Sequence, residues 1–434
     1  MTYKEATEYI EHLKSFGITP GLAAMSELCR RLDNPQDRIP FVHIAGTNGK
    51  GSVLCFISAI LKASGYRTGR FFSPAISECR ERFQINNRQI SKNDFCRYLE
   101  RIKEVAGGMV ADGFDHPTSF EVDTALAFLY FADKNCDIVV LETGMGGTFD
   151  ATNVIRHPLV AVIMPVGMDH TDYLGRTLAE IAGHKAGIIK AGACVITGRQ
   201  SEAVYEVIRE KCSECGCRPL FVSPLGTLSR IRKGKADFKN LAFRQCFTYC
   251  GCDFEIGLAG PHQIINAATA LDAVLFLSGQ GFPASEKNIR KGLREAAWPG
   301  RFELIAGSPP FVIDGAHNAE AALMLADTLK IYFKKKRIIY ILGVLRDKDY
   351  PGIIAATYAL AEHIITITPP DPRALSGYEL ALAVAQKHPR VTAADSIVEA
   401  CELAILLAGK DGAVAAFGSL TFLGAVREII AKRA

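Results

Sequence analysis

The stretch Phe41-Val-His-Ile-Ala-Gly-Thr-Asn-Gly-Lys-Gly-Ser52 decides the fold. An apolar run from Phe41 to Ala45 stops at Gly46, Gly49 and Gly51, with Lys50 and Ser52 between and after the last two glycines. The pattern reads as strand, phosphate loop, helix. Glycine lets backbone N–H groups turn inward and approach phosphate oxygens that a Cβ would hold off. Lys50 would reach the β- and γ-phosphates and Ser52 would offer an oxygen to Mg²⁺. A helix from Val53 to about Ala63 would aim its positive end at the anion. The spacing departs from the usual phosphate-loop pattern, because Gly46 falls closer to the lysine and Gly51 separates Lys50 from Ser52. The competing reading is a glycine-rich turn with no ligand. Two features weigh against it. The loop follows the carboxyl end of a buried strand, where open α/β sheets bind ligands. A second buried strand, Asp137 to Leu141, ends in Glu142, a residue type and position suited to Mg²⁺ beside a nucleotide.

At 434 residues the chain exceeds one ordinary core, so two domains are expected. An apolar content of 49% and a charged content of 22% are those of a globular protein in water. A net charge of +4 is too small to argue for nucleic acid or a membrane surface. The basic run Lys334-Lys-Lys-Arg337 reads as a solvated helix end. No apolar segment is long enough to span a bilayer and the first residues are polar, so a cytoplasmic protein with reduced thiols is expected. Among 13 cysteines, the groups Cys212, Cys215, Cys217 and Cys246, Cys250, Cys252 suggest zinc at first sight. Their spacing matches no zinc pattern, and small buried cysteines account for them.

Around the loop, strand and helix alternate. Two helices occupy Thr2 to Leu32, broken at Gly17–Gly21. A strand from Thr68 to Phe72 leads to Ser73, the polar stretch Glu78 to Ser91 reads as an extended surface loop, and helices cover Lys92 to Ala106 and Val122 to Ala132. Further strands are expected at Leu159 to Val166 and Val195 to Thr197, with a helix from Thr177 to Ile189. Leu220 to Leu258 is irregular, with short strand-like runs, and Pro261 to Leu277 is helical. Pro299-Gly300 interrupts the pattern, and a fresh series of strands near Phe311, Ile338, His363 and Ala413 follows, interleaved with helices. The fold class is α/β: a phosphate-loop ATPase domain with a mostly parallel sheet over 1–296, then a smaller doubly wound, Rossmann-like domain over 297–434. The second domain lacks a GxGxxG fingerprint, so dinucleotide binding is not expected.

Polar groups collect at expected strand ends: Lys50 and Ser52, Ser73, Glu142, Asp169 and His170. Strand ends of one parallel sheet share an edge, so these should converge. Ser, Glu and His can all ligate Mg²⁺, although His is the unusual member for a hard cation. Lys185 lies on a mostly apolar helix just beyond His170. A lysine facing a metal cluster favours its neutral amine, which can add CO₂ to give an anionic carbamate ligand.

The loop Gly46-Thr-Asn-Gly-Lys-Gly-Ser52 resembles the ATP-binding loop of the Mur ligase superfamily, and its surroundings are similar to the folate branch, the folylpolyglutamate synthase/dihydrofolate synthase family. Ser73-Pro74, Glu81-Arg82, Thr118-Ser-Phe-Glu121, Asp150-Ala-Thr-Asn153, Asp169-His-Thr171, Lys185-Ala-Gly-Ile-Ile-Lys190, His262-Gln263 with Asn266, Arg301-Phe-Glu303, Asp314-Gly-Ala-His-Asn318, Asp347-Lys-Asp349 and Gly418-Ser-Leu420 match family motifs in order. The resemblance implies an ATP-dependent ligase that adds L-glutamate to a reduced folate through an acyl phosphate, with addition to dihydropteroate left open as a second activity. It implies that Gly46, Thr47, Asn48, Gly49, Lys50, Gly51, Ser52, Asn266, Arg301, Asp314 and His317 hold ATP. Ser73, Arg82, Phe120, Glu121 and Asp150 would line the folate side. Ser52, Ser73, Glu142, His170 and carbamylated Lys185 would hold two Mg²⁺, with a monovalent cation as an optional addition. Lys50, Lys185, His170, Arg301 and His317 would be the catalytic group. The expected protein is a monomer whose partners are small molecules, not nucleic acid or membrane. Five residues depart from the family pattern: Ala75, Thr148, Phe149, His184 and Thr421. Two rivals stay open, another Mur-type carboxylate–amine ligase and an ATP-binding regulatory protein whose acceptor site has decayed at Ala75 and Thr148.

Overall fold

The structure, a computed structural model, describes residues 1–17, 21–217, 219–221, 228–232 and 234–433. These group into two compact units, Met1–Pro224 with Asn266–Gly292, and Leu225–Ile265 with Leu293–Ala434. Among the described residues, no helix is long and apolar enough to cross a membrane.

In the first unit, eight strands form one sheet: β1 (Phe41–Ala45), β2 (Thr68–Phe71), β3 (Phe83–Ile85), β4 (Arg88–Gln89), β5 (Ile138–Glu142), β6 (Val160–Ile163), β7 (Cys194–Thr197) and β8 (Pro219–Phe221). Their order is β4-β3-β2-β5-β1-β6-β7-β8. The six strands from β2 to β8 in that order are parallel, β3 joins β2 antiparallel, and β4 joins β3 antiparallel. All five residues of β1 are buried, as a central strand covered on both faces requires. One face packs Phe41, Phe71, Phe83 and Leu141 against the helices Lys92–Ala111 and Ser119–Asp133. Farther along the same face, Ala45, Ala161 and Ile163 pack against the helices Leu178–Ala186 and Glu202–Glu214, since His43 pairs with Leu141 on one side and Ala161 on the other. Phe128 on the helix Ser119–Asp133 is fully buried, worth about 1.5–3 kcal/mol of transfer free energy.

The second unit holds two sheets. β9 (Leu228–Ser229), β10 (Lys235–Asp237), β11 (Ala242–Tyr249) and β12 (Cys252–Ile256) form an antiparallel sheet centred on β11. β13 (Glu303–Gly307), β14 (Pro310–Asp314), β15 (Ile338–Leu342), β16 (Ala361–Thr366), β17 (Val391–Ala393) and β18 (Ala413–Phe417) form the other, ordered β13-β14-β18-β15-β16-β17. All of its pairings are parallel except β13 with β14.

Three expectations need correction. Residues 78–91 are not a plain loop: a 3₁₀ turn at Cys79–Arg82 is followed by the hairpin β3–β4, closed by Asn86 and Asn87 at φ +49 and +66. Two left-handed residues match the twist of a two-residue hairpin, and asparagine tolerates that conformation. Of the region 220–258, residues 220–221 end β8, and the strand-like runs beyond are not irregular but pair as the antiparallel sheet β9 to β12. Cys250 and Cys252 are exposed rather than buried, because Cys250 and Gly251, at φ +49 and +79, make the turn joining β11 to β12. The break between the first two helices, Gly17–Gly21, lies partly outside the described residues.

Candidate functional site

The phosphate loop is built as its residues dictate. Gly46 lies at φ +149, and a Cβ there would fall 2.5 Å from Met164 Cβ, so only glycine fits between the end of β1 and the segment leaving β6. Thr47 N–H donates to Pro165 O (2.9 Å), and the Thr47 hydroxyl donates to Gly167 O (3.1 Å) while accepting from Gly167 N–H (3.0 Å). Gly49, at φ +89, caps the helix Lys50–Ala63, which starts at the lysine itself. A Cβ on Gly49 would lie 2.9 Å from Asn266 Oδ1, so Asn266 stands directly against the loop. Ser52 is buried in the first turn of this helix.

Register brings the strand ends together. Ile44 pairs with Glu142 across β1 and β5, Phe71 with Leu141 across β2 and β5, and Ala45 with Ile163 across β1 and β6. Ser73, Glu142, the loop and the Asp169–His170 segment therefore leave neighbouring strands at one edge of the sheet. Lys50 Nζ donates to Gly46 O (3.1 Å) and Thr47 O (3.3 Å) and lies 3.8 Å from Glu142 Oε1. Lys185 Nζ donates to the same Gly46 O at 2.9 Å. Burial first, then the Lys50 charge, push the Lys185 amine down to about 7. Near neutral pH much of it is the uncharged, nucleophilic form. His170 takes φ +51 and caps the short helix Thr171–Leu174, with Asp169 Oδ2 3.7 Å from its Nε2.

Beside this edge lies a cavity of about 280 Å³ lined by Ser73, Phe120, Glu121, Met145, Phe149 and Asp150, among others. Phe120 packs on Phe71, with ring centres 5.9 Å apart, and leaves room for no side chain at Gly144. Glu121 accepts both Thr118 N–H and the Thr118 hydroxyl at 2.8 Å, so it caps its own helix as well as lining the cavity. Asp150 Oδ2 accepts Met145 N–H (2.8 Å). Arg82 is ion-paired with Asp123, which is fully buried. Burial raises the Asp123 carboxyl and the Arg82 charge opposes it. Asp123 escaped the sequence reading, yet an aspartate just ahead of the apolar run 125–132 of its helix is the signal that could have found it.

The departures at Thr148 and His184 meet each other. Thr148 N–H and hydroxyl both donate to His184 O (2.8 and 3.1 Å), and the exposed Phe149 ring packs on the His184 ring with centres 6.0 Å apart.

In the second unit, Asp314 ends β14. Its Oδ2 accepts Phe302 N–H (2.7 Å) and its Oδ1 accepts Ala316 N–H (2.8 Å). Burial raises this carboxyl and the Arg301 charge opposes the shift. His317 Nδ1 donates to Gly315 O at 2.8 Å, which fixes the ring. Arg301, Asp314 and His317 thus form one polar cluster within that unit.

The chain matches the Mur ligase middle domain over residues 44–274 and the Mur ligase glutamate ligase domain over residues 300–420. It is 36% identical to the dihydrofolate synthase/folylpolyglutamate synthase of Bacillus subtilis over 382 residues, 86% of each chain. It is 34% identical to the folylpolyglutamate synthase of Lacticaseibacillus casei over 87% of this chain and 89% of that one. The folylpolyglutamate synthase of Mycobacterium tuberculosis, solved with ADP and AMPPCP, superposes with a TM-score of 0.89 at 32% identity and 99% coverage of both chains. Two independent domain matches in the expected order, full-length likeness of fold, and identity above 30% across most of the chain leave one conclusion: the chain belongs to the folylpolyglutamate synthase/dihydrofolate synthase branch of the Mur ligase family.

Proposed function

We propose that the chain is an ATP-dependent ligase that joins L-glutamate to a folate-side carboxylate, with tetrahydrofolate and dihydropteroate as its acceptors. The observation that carries this reading is the pairing, on one sheet edge, of a phosphate loop with an aromatic-lined cavity that contains the buried carboxylate of Asp150. A carboxylate is a poor electrophile because its oxide is a poor leaving group. ATP supplies a better one: a carboxylate oxygen attacks the γ-phosphorus, ADP departs, and an acyl phosphate results. The neutral glutamate amine then attacks the acyl carbon, and the tetrahedral intermediate collapses as phosphate leaves with the C–O bond pair and the amine proton passes to solvent. Lys50 and the loop N–H groups offset the charge on the transferring phosphoryl group, chiefly by positioning. We assign Arg301, Asp314 and His317 to nucleotide recognition, with Asn266 beside Gly49. Ser73, Arg82, Phe120, Glu121 and Asp150 are assigned to the acceptor.

The donor set suits magnesium. Among the described residues no three His, Cys, Asp or Glu side chains gather to hold a metal by themselves. Hydroxyls of Ser52 and Ser73, Glu142, His170, nucleotide oxygens and a carbamate on Lys185 would therefore hold two Mg²⁺, which supply charge neutralisation at the phosphates. The buried amine of Lys185, pushed down to about 7, is the form that CO₂ modifies. Its N–C bond forms as one amine proton leaves to solvent. ADP release with Mg²⁺-ATP and L-glutamate tests the reading, with dihydropteroate and tetrahydrofolate supplied separately. Turnover with both is expected. Turnover with neither, in a protein that binds ATP, rejects it in favour of a decayed acceptor site.

A further inference from the structure

Behind the phosphate loop, three side chains form a directed chain in which only the last, Asp150, has a role above. His43 lies on β1, three residues before Gly46, and is fully buried. Its Nε2 is 2.8 Å from Thr152 Oγ1. The Thr152 hydroxyl donates to Asp150 Oδ1, which also accepts Thr152 N–H at 3.1 Å. The other Asp150 oxygen holds Met145 N–H, and both Asp150 and Met145 line the cavity.

Proton counting fixes the direction. A hydroxyl carries one proton, and Thr152 gives it to the carboxylate. Thr152 must then accept from His43, which is therefore the Nε2–H tautomer. Its Nδ1 is left as a buried acceptor without a hydrogen-bond partner among the described residues. Burial, then the Lys190 charge, hold this ring neutral, with its pKa down at about 3. A half-satisfied imidazole inside Phe-Val-His-Ile-Ala is a poor choice for packing alone, since an apolar side chain would leave no orphan. On Asp150, burial raises the carboxyl while the donors Thr152 and the backbone of Met145 and Gly144 oppose that rise. His43 stands at the far end of that donor set.

We infer that His43 is a positioning residue for the acceptor: through Thr152 it orients the Asp150 carboxylate and, with it, the Met145 wall of the cavity. The inference rests on the ligase reading above. It is distinct from any contact between His43 and a substrate, because two residues intervene between the ring and the cavity.

The test is steady-state kinetics of the full-length protein with tetrahydrofolate as varied acceptor, then with ATP varied. His43→Met removes the donor. Thr152→Val breaks the chain at its middle while keeping shape. His43→Gln offers an amide N–H near the position of Nε2. One lost hydrogen bond in the chain corresponds to a rise of about tenfold in acceptor KM, with the KM for ATP held within about twofold. His43→Gln is expected to recover most of the loss, and the double variant His43→Met with Thr152→Val to be no worse than Thr152→Val alone. The inference is overturned by unchanged kinetics, by equal rises in both KM values, by additive effects in the double variant, or by His43→Gln failing as badly as His43→Met. Should His43→Met not fold, Thr152→Val and His43→Gln carry the same comparison. A wild-type protein inactive with every acceptor removes the ligase reading and this inference together, whereas an active wild type with unaffected variants removes this inference alone.

Discussion

Replacing Gly46 by alanine measures how closely the phosphate loop is built. The new Cβ would sit 2.5 Å from Met164 Cβ and 3.0 Å from Met164 Cα and O, at a backbone φ of +149. Carbon atoms in contact prefer about 3.5–4.0 Å, so the end of β1 or the segment after β6 must shift by about 1 Å. Overpacking of this kind costs about 1–3 kcal/mol. The strained backbone adds about 1–3 kcal/mol, for a total near 2–6 kcal/mol. Function should suffer as well, because Gly46 O holds the amines of both Lys50 and Lys185. A displacement of about 1 Å at such a site costs on the order of 10²-fold in rate. Gly65→Ala is the matched control: its φ is +98, but among the described residues a Cβ there meets nothing within 4 Å. It should lose only about 1–2 kcal/mol, the backbone cost alone. Urea unfolding and kcat/KM for ATP on both variants make the comparison. If Gly46→Ala unfolds at the same urea concentration as Gly65→Ala, or keeps wild-type turnover, the steric argument is wrong.

Other perturbations separate the remaining parts. Asp123→Ala strands the Arg82 guanidinium, which is mostly buried, and should cost about 3–5 kcal/mol in urea unfolding while raising acceptor KM; a loss below about 1 kcal/mol would mean that the pair is not buried in solution. His43 titrates near 6.5 in the unfolded chain and near 3 in the fold, so between those values the unfolded state holds the extra proton. Stability is therefore intact above about 6.5 and falls toward pH 3, by at most about 1.4 kcal/mol per pH unit. His43→Gln should flatten that part of the profile, and equal slopes in the two proteins would refute the assignment. Incubation with ¹³C-bicarbonate should give a carbamate carbon signal that is absent in Lys185→Met. The signal should grow as pH rises through about 7, where the neutral amine takes over; a signal of equal size in both proteins would place the adduct elsewhere.

Local chemistry explains what could be read from the chain. The strand, three glycines and Lys50–Ser52 specify their own turn and helix start, and the alternation of buried runs with helices specifies a parallel sheet whose ends share an edge. Glu142 was legible for that reason. The hairpin at residues 83–89 was not, because its strands are two and three residues long and largely polar, although Asn86-Asn87 carried the turn signal. Cys250-Gly251 hid a similar turn behind an apparent metal spacing. The partners of buried polar groups were also beyond reach. Arg82 and Asp123 are 41 residues apart and His43 and Thr152 are 109 apart, and only the fold brings each pair together. Lys185 could be flagged as an odd lysine on an apolar helix. Its bond to Gly46 O, which ties it to the loop itself, required the tertiary structure.

Oxygen transfer tests the central claim most directly. Acceptor labelled with ¹⁸O in the carboxylate that receives glutamate, turned over with Mg²⁺-ATP and L-glutamate, should deliver one labelled oxygen to each inorganic phosphate released, because an acyl phosphate breaks between carbon and that oxygen. Phosphate free of label during productive glutamate addition would contradict the proposed chemistry.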